Sequence, residues 1–213
     1  MNPTDDQAPA FDAREHWDQR YTTEGLLFGR EPNAFLRREA GRIAPGGRVL
    51  SVADGEGRNA IFLAGLGHRV TAFDISPVAV AKANEWASGV DASAEFEIAS
   101  VEDWDWLDAT YDAVVAVFVQ FAEPAVRARL FADMWRSLKP GGLLLVHGYT
   151  PRQLDYATGG PRQVENLYTP ALLRDLLPQA EWLLLREYED ELAEGHAHVG
   201  RSALIDGVAR KPA

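Results

Sequence analysis

Apolar positions along this chain recur with two alternating periods. Arg48 to Ala53 is a short β-branched run that predicts a strand, and Asn59 to Leu66, closed by Gly67, predicts a helix. Arg69 to Asp74 is a second strand, ending in an acid. Ser76-Pro77 then supplies an N-cap and a first-turn proline for a helix through Ala87. Glu95 to Ala99 forms a third strand. Tyr111 to Val119 forms a fourth, apolar almost throughout, as expected of a strand covered on both faces. In the next helix Val126, Leu130, Met134 and Leu138 make one stripe, which Phe131 and Trp135 widen. Lys139-Pro-Gly-Gly142 stops it before a fifth strand, Leu143 to Gly148. After a polar loop, Thr169-Pro170 opens another helix. Two extended segments, Glu181 to Tyr188 and Arg201 to Ala209, close the chain around a turn at Glu194-Gly195-His196.

Strand–helix alternation of this kind predicts a doubly wound α/β fold with a mostly parallel sheet. The last two strands have no helix between them, so they are expected to pair as an antiparallel hairpin, giving seven strands. Upstream, Arg14 to Tyr21 predicts a short helix, Gly25 to Arg30 a loop, and Pro32 to about Ile43 a second helix ended by Pro45-Gly46-Gly47. Residues 1–13 carry the Pro, Asp and Gln content of a disordered tail, and 14–213 are expected to form a single domain.

A formal net charge of −11 opposes a nucleic-acid partner, because phosphate binding needs clustered Lys and Arg. The chain has no cysteine, which excludes disulfides, thiolate metal sites and a catalytic thiol. Its polar, acidic start does not resemble a signal peptide, and the longest apolar run, Ala113 to Val119, is too short to span a bilayer. The expectation is a cytoplasmic protein without a membrane partner, monomeric or homodimeric.

Ligands of open α/β sheets bind beyond the carboxyl ends of the strands. At that place stands Val52-Ala-Asp-Gly-Glu-Gly-Arg-Asn59. Gly55 and Gly57 allow a sharp turn and close approach by a ligand, and Asp74 can accept hydrogen bonds from ribose hydroxyls. Glycine loop plus strand-end acid is a nucleoside-binding constellation. Two ligands suit it. Gly55-x-Gly57-x-x-Ala60 satisfies a dinucleotide fingerprint, which would make the protein a nicotinamide-dependent oxidoreductase. S-adenosylmethionine carries no phosphate but two cationic centres, and Asp54 and Glu56 suit it better on Coulomb grounds.

Val49 to Ala64, VLSVADGEGRNAIFLA, resembles the first motif of class I S-adenosylmethionine-dependent methyltransferases, and its Gly-Glu-Gly-Arg-Asn core is similar to the TehB-like branch. Val70 to Pro77 resembles the ribose-binding second motif, and Leu138 to Leu145 the turn before the fifth strand. Leu26 to Leu36 resembles the branch's N-terminal lid, which makes 14–45 a helical lid. The resemblance implies a Rossmann-like methyltransferase fold and S-adenosyl-L-methionine as cofactor. It places cofactor contacts at Ala53, Asp54, Gly55, Glu56, Gly57, Asn59, Asp74, Ile75, Ser76, Val101, Glu102 and Phe118. The chain departs from the pattern at Ser51 and Ser100, where Asp is common, and at Ala53, which replaces a glycine. If a positive φ is needed there, Ala53 adds strain.

Methyl transfer asks the protein for orientation, desolvation and, for some acceptors, a base. His147, at the end of the fifth strand, is the candidate catalytic base; the plainer reading is a histidine bonded to backbone. Tyr149, Gln120 and Phe121 are candidate acceptor contacts, and Trp17, Tyr21, Phe28 and Arg30 candidate lid residues. Trp104 and Trp106 read as packing residues rather than adenine stackers. His196 and His198, with Glu194 nearby, read as solvated turn residues rather than a metal site. The function expected is transfer of a methyl group to a small-molecule acceptor, a thiol or chalcogen, by in-line displacement. A nicotinamide oxidoreductase and a non-catalytic binder of S-adenosylmethionine are the competing readings.

Overall fold

The structure, a computed structural model, describes residues 12–90, 92–156 and 158–213. The expected tail falls largely on residues outside these. Its last residue, Ala13, instead begins α1 (Ala13–Tyr21), because the Asp12 side chain accepts from the Glu15 N–H at 3.1 Å and starts the helix there. α2 (Ala34–Glu39) starts two residues later than Pro32 suggests: the cap is Asn33, whose Oδ1 accepts from the Phe35 and Leu36 N–H groups. A 3₁₀ turn, Ala40–Arg42, completes it.

The alternating core follows as β1 (Arg48–Val52), α3 (Arg58–Gly65), β2 (Arg69–Asp74), α4 (Pro77–Gly89), β3 (Ala94–Ile98), β4 (Tyr111–Val117), α5 (Pro124–Ser137) and β5 (Leu138–Tyr149). α6 (Pro170–Leu176) precedes β6 (Glu181–Glu194) and β7 (His198–Arg210). The seven strands lie in the order β3-β2-β1-β4-β5-β7-β6. β1 to β5 pair in parallel, whereas β7 is antiparallel to both β5 and β6. Short right-handed crossovers through α3, α4 and α5 enforce the parallel part. The final hairpin turns back at once, so β7 enters beside β5 and leaves β6 at the edge.

Each sheet face carries its own apolar layer. Leu50, Val114, Leu144, Phe131 and Met134 fill one under α5, while Val49, Val115, Leu145, Phe35 and Leu63 fill the other under α2 and α3. The helices packed on the two faces thus leave a space at the carboxyl edge of β1, β2, β4 and β5, over which α1 lies.

Both strands of the closing hairpin run several residues further than their apolar positions suggest, with Glu189 opposite Ala203 and Glu194 opposite His198. The turn is therefore Gly195 to Ala197, and it folds back onto the N-terminal segment. The His196 N–H donates to the Leu27 carbonyl at 2.9 Å. Gly195 has φ +60°, and a Cβ there would lie 2.3 Å from the Leu27 carbonyl oxygen and 2.5 Å from the Phe28 carbonyl carbon. No side chain fits against backbone at that distance. Gly195→Ala is expected to lower stability by about 1–3 kcal/mol, read as a fall in Tm by calorimetry; an unchanged Tm contradicts this docking.

Candidate active site

The loop after β1 turns through three left-handed residues. Ala53 has φ +48°, Gly55 +62° and Gly57 +89°, the last at the N-cap of α3. For Ala53 this conformation costs about 1–2 kcal/mol, so the strain anticipated from its replacement of glycine is present. Hydrogen bonds hold the turn against the end of β2. The Asp54 N–H donates to the Phe73 carbonyl at 3.0 Å, and the Gly55 N–H to Asp74 Oδ2 at 2.9 Å. Asp74 Oδ1 takes the Ser76 N–H at 2.9 Å. Phe118, after β4, is a second strained residue, with φ +58°, and its ring is turned into the same space.

The result is a cavity of about 410 Å³ at the carboxyl edge of the sheet. Asp54, Gly55, Asn59 and Asp74 form its floor, α1 and Phe28 cover it, and Phe118, Tyr149 and His198 form its far wall. A second, more apolar space of about 230 Å³ adjoins it. Ala53, Phe73, Ile75, Ala99, Val101 and Ala122 line that slot, with Ser100, Glu102 and Glu123 at its rim. Trp17 and Phe121 border both. A polar floor joined to an apolar slot matches a nucleoside carrying a charged tail.

Burial pushes the Asp54 carboxyl up to about 7, against a hydrogen bond from the Ser51 hydroxyl at 2.5 Å and one from the Ala60 N–H. Burial likewise raises Asp74 to about 6, although the Ser76 and Gly55 N–H groups oppose it. Two carboxyls destabilised in this way favour a cation between them. Ser51, where the resembling family commonly has Asp, therefore orients Asp54 rather than adding a charge.

The sequence-predicted residues divide clearly. Ala53, Asp54, Gly55, Asn59, Asp74, Phe118, Trp17, Tyr21, Phe28, Gln120, Phe121 and Tyr149 line the main cavity, and Ile75, Val101 and Glu102 the slot. Gly55 is required there, since a Cβ would meet the Tyr21 hydroxyl at 2.6 Å. Five expected residues stand elsewhere. Glu56 turns away from the ligand space: its carboxylate accepts from the Leu27 N–H at 2.7 Å and pairs with Lys82 at 3.0 Å. The Coulomb argument made from it passes to Asp54 and Asp74. Gly57 packs against Ala83 and Phe96, where a Cβ would come within 2.9 Å of the Ala83 Cβ. Ser76 caps α4, accepting from the Ala79 N–H while its hydroxyl donates to Asp18. Arg30 lies over the Trp86 ring at 5.2 Å, outside the cavity.

His147 is the fifth correction. Its ring is buried behind Phe118, stacked on Phe35, with Nδ1 2.8 Å from Asp206 Oδ1. It sits one pleat deeper than Tyr149 on the same strand face, so it does not reach the cavity. Two lining residues have polar atoms engaged within the fold. Gln120 donates to the Tyr149 and Asn166 carbonyls and accepts the Tyr149 N–H, and Asn59 Oδ1 accepts the Asn33 N–H. Gln120 thus shapes the wall rather than offering a free group, while Asn59 is fixed through its oxygen. Trp104 and Trp106 pack on Phe73, as their packing reading has it.

Sequence reasoning missed Arg58 and His198. The Arg58 guanidinium donates to Glu194 at 2.7 Å and to the Phe28 carbonyl at 3.1 Å, tying α3 to the hairpin tip and the N-terminal segment. Glu194 also accepts from Asn33 Nδ2 at 2.9 Å, and its carboxyl falls to about 2 despite burial, because His198 and Arg58 flank it. His198 is not solvated. Docking of the tip buries it among Phe28, Phe118 and Tyr149, at ring-centroid distances of 4.6, 4.3 and 5.8 Å. The position of Gly195 in the turn was the available signal. Gly159, Gly160 and Pro161, from the polar loop before α6, complete the wall.

Among the described residues no group of three or more His, Asp or Glu is suited to a metal, and no helix is long and apolar enough to cross a membrane.

Residues 49–142 match a family model described as a methyltransferase domain. The tRNA 5-carboxymethoxyuridine methyltransferase of Escherichia coli strain K12 is 28% identical over 176 residues, 70% of this chain and 66% of the relative. The phosphatidylethanolamine N-methyltransferase of Cereibacter sphaeroides is 30% identical over 139 residues, 63% of this chain and 66% of the relative. The chain thus spans just under two thirds of the length of both. Among solved structures, TehB from Haemophilus influenzae superposes with a TM-score of 0.67 at 19% identity, covering 93% of this chain and 66% of that one. The strand order with its antiparallel β7 and the glycine turn braced by Asp74 agree with the match of residues 49–142 to a methyltransferase domain, and the chain has the Rossmann-like fold of S-adenosylmethionine-dependent methyltransferases.

Proposed function

We propose that this protein transfers a methyl group to a small, soft acceptor, a thiol or chalcogen, held in the aromatic half of the main cavity. One observation carries the reading. The cavity has two chemically opposite ends, the Asp54 and Asp74 carboxyls on one side and the Phe28, Phe118, Tyr149 and His198 rings on the other.

S-adenosylmethionine, when bound, supplies a methyl carbon activated by a positively charged sulfur. The chain's part is to hold and aim. Asp74 accepts ribose hydroxyls while still bracing Gly55 and Ser76. Asp54 faces the cationic amino-acid end, and the slot between Ile75 and Val101 takes the flat base. Aromatic faces favour a sulfonium through their negative quadrupoles and exclude water from a polarisable acceptor. A thiolate or a chalcogen anion needs little further activation.

The curated relatives are named for a tRNA and a lipid acceptor, so alternatives of those classes follow from likeness alone. A net charge of −11 weighs against a polyanionic RNA, whose phosphates ask for Lys and Arg. The cover formed by α1, Phe28 and the hairpin tip leaves room for a small acceptor rather than a helix or a bilayer headgroup array.

Two measurements test the proposal. Incubation with methyl-labelled S-adenosylmethionine and a panel of thiols, selenite and tellurite is expected to give labelled methyl product from at least one thiol or chalcogen. Asp74→Ala should weaken S-adenosylhomocysteine binding by about 1–3 kcal/mol, or roughly 5- to 150-fold in Kd. Label transferred only to tRNA or phospholipid would overturn the acceptor class.

The raised carboxyls add a pH signature. A bound cation stabilises the ionised form of Asp54, which titrates near 7 in the free protein, so binding at pH 7 must release part of a proton. Affinity for S-adenosylmethionine should therefore rise between pH 6 and 8. Its calorimetric enthalpy should also differ between phosphate and Tris buffers. Proton uptake, or affinity falling with pH, would remove Asp54 from the cation's surroundings.

A further inference from the structure

At the aromatic end of the cavity the buried Tyr149 hydroxyl has no hydrogen-bond partner among the described residues, and His198 Nδ1 meets only the Glu194 carboxylate, at 3.6 Å. A buried polar atom left unpaired is costly, so this wall, where Tyr149 and His198 stand side by side, asks for a ligand. Their chemistry is complementary. Burial raises the Tyr149 phenol well above its usual range, which keeps it a donor. Burial lowers the His198 imidazole below its usual value, with Arg58 and His147 adding to the shift and Glu194 opposing it. The ring is therefore neutral at pH 7 and carries one free lone pair.

Its orientation is set by the hairpin. Nδ1 faces Glu194 Oε2 at 3.6 Å, across from Arg58 on α3, which leaves Nε2 for the cavity. The other titratable group behind it, His147 on β5, is separated from it by the Phe118 ring. A carboxylate beyond the buried nitrogen favours the tautomer with Nδ1 protonated and Nε2 unprotonated.

Resting on the methyltransferase reading, we infer that His198 is the base of this site and that, with Tyr149, it selects an acceptor entering in its protonated form, a neutral thiol or hydroxyl. The X–H proton passes to His198 Nε2 as the X–C bond forms. The carbon–sulfur bond breaks with its electron pair remaining on sulfur, giving a neutral thioether, and the imidazolium is matched by Glu194. This assigns to His198 the role that the sequence gave to His147, and it narrows the acceptor to one that both donates and accepts a hydrogen bond.

The test compares two thiols of similar bulk in His198→Gln, benzyl mercaptan, protonated at pH 7, and 4-nitrothiophenol, already a thiolate. The variant should lose about 10²- to 10³-fold in kcat/KM for benzyl mercaptan and stay near wild type for 4-nitrothiophenol. The wild-type acid limb for benzyl mercaptan, lying below the ordinary histidine value, should vanish in the variant. Unchanged S-adenosylhomocysteine affinity certifies its fold, and Tyr149→Phe should raise KM for benzyl mercaptan. Equal loss with both thiols, or none with either, overturns the assignment. If the wild type methylates neither thiol, the thiol reading of function fails, and His198 is judged by ¹⁵N-histidine NMR of the S-adenosylhomocysteine complex. A neutral ring with Nδ1 protonated at pH 7 then supports its role as a base; a charged ring or the opposite tautomer refutes it.

Discussion

The site depends on one buried ion pair. Arg58, the first residue of α3, meets Glu194 at the tip of the closing hairpin at 2.7 Å, with side chains 8% and 11% exposed. A cation at a helix N-terminus opposes the helix dipole, and burying it alone would cost far more. Glu194 offsets both. The same guanidinium reaches the Phe28 carbonyl, so one charge joins the glycine turn, the N-terminal segment and the last two strands. Without that joint the cavity has a floor but no cover.

A second economy follows from the strand ends. Directly after β1 and β4 stand residues with positive φ, Ala53 and Phe118, and both line the ligand space. The strain is held by packing and by the Asp74 brace, and burial at this edge leaves two carboxyls less ionised than they would be in water. Such a floor is poised for a cation and unsuited to a pyrophosphate. That electrostatic choice separates the methyltransferase site from the dinucleotide site that the same glycine spacing would permit.

Much of this was legible in the sequence because it is local. The β2 span from Arg69 to Asp74, the Ser76 cap and the glycine turn are set by residues a few positions apart, and the structure places them as read. The hairpin was read short because Glu189 to Glu194 carry charges that mask strand periodicity. Glu56 was misassigned since proximity in sequence to Gly55 says nothing of side-chain direction. His147 and His198 exchanged roles for a long-range reason: strand depth hides the first, and a turn that docks on Leu27 and Phe28, far away in the chain, buries the second. Arg58 stood within the motif, but its partner lies 136 residues on.

The central claim is that the carboxyl edge of this sheet is an S-adenosylmethionine site built around Asp54 and Asp74. Calorimetric titration of the purified protein with S-adenosylmethionine, S-adenosylhomocysteine and NADH tests it most directly. The account predicts saturable one-to-one binding of both sulfur nucleosides and no heat from NADH. Binding of NADH with none of the sulfur nucleosides would contradict it and return the glycine turn to the dinucleotide reading.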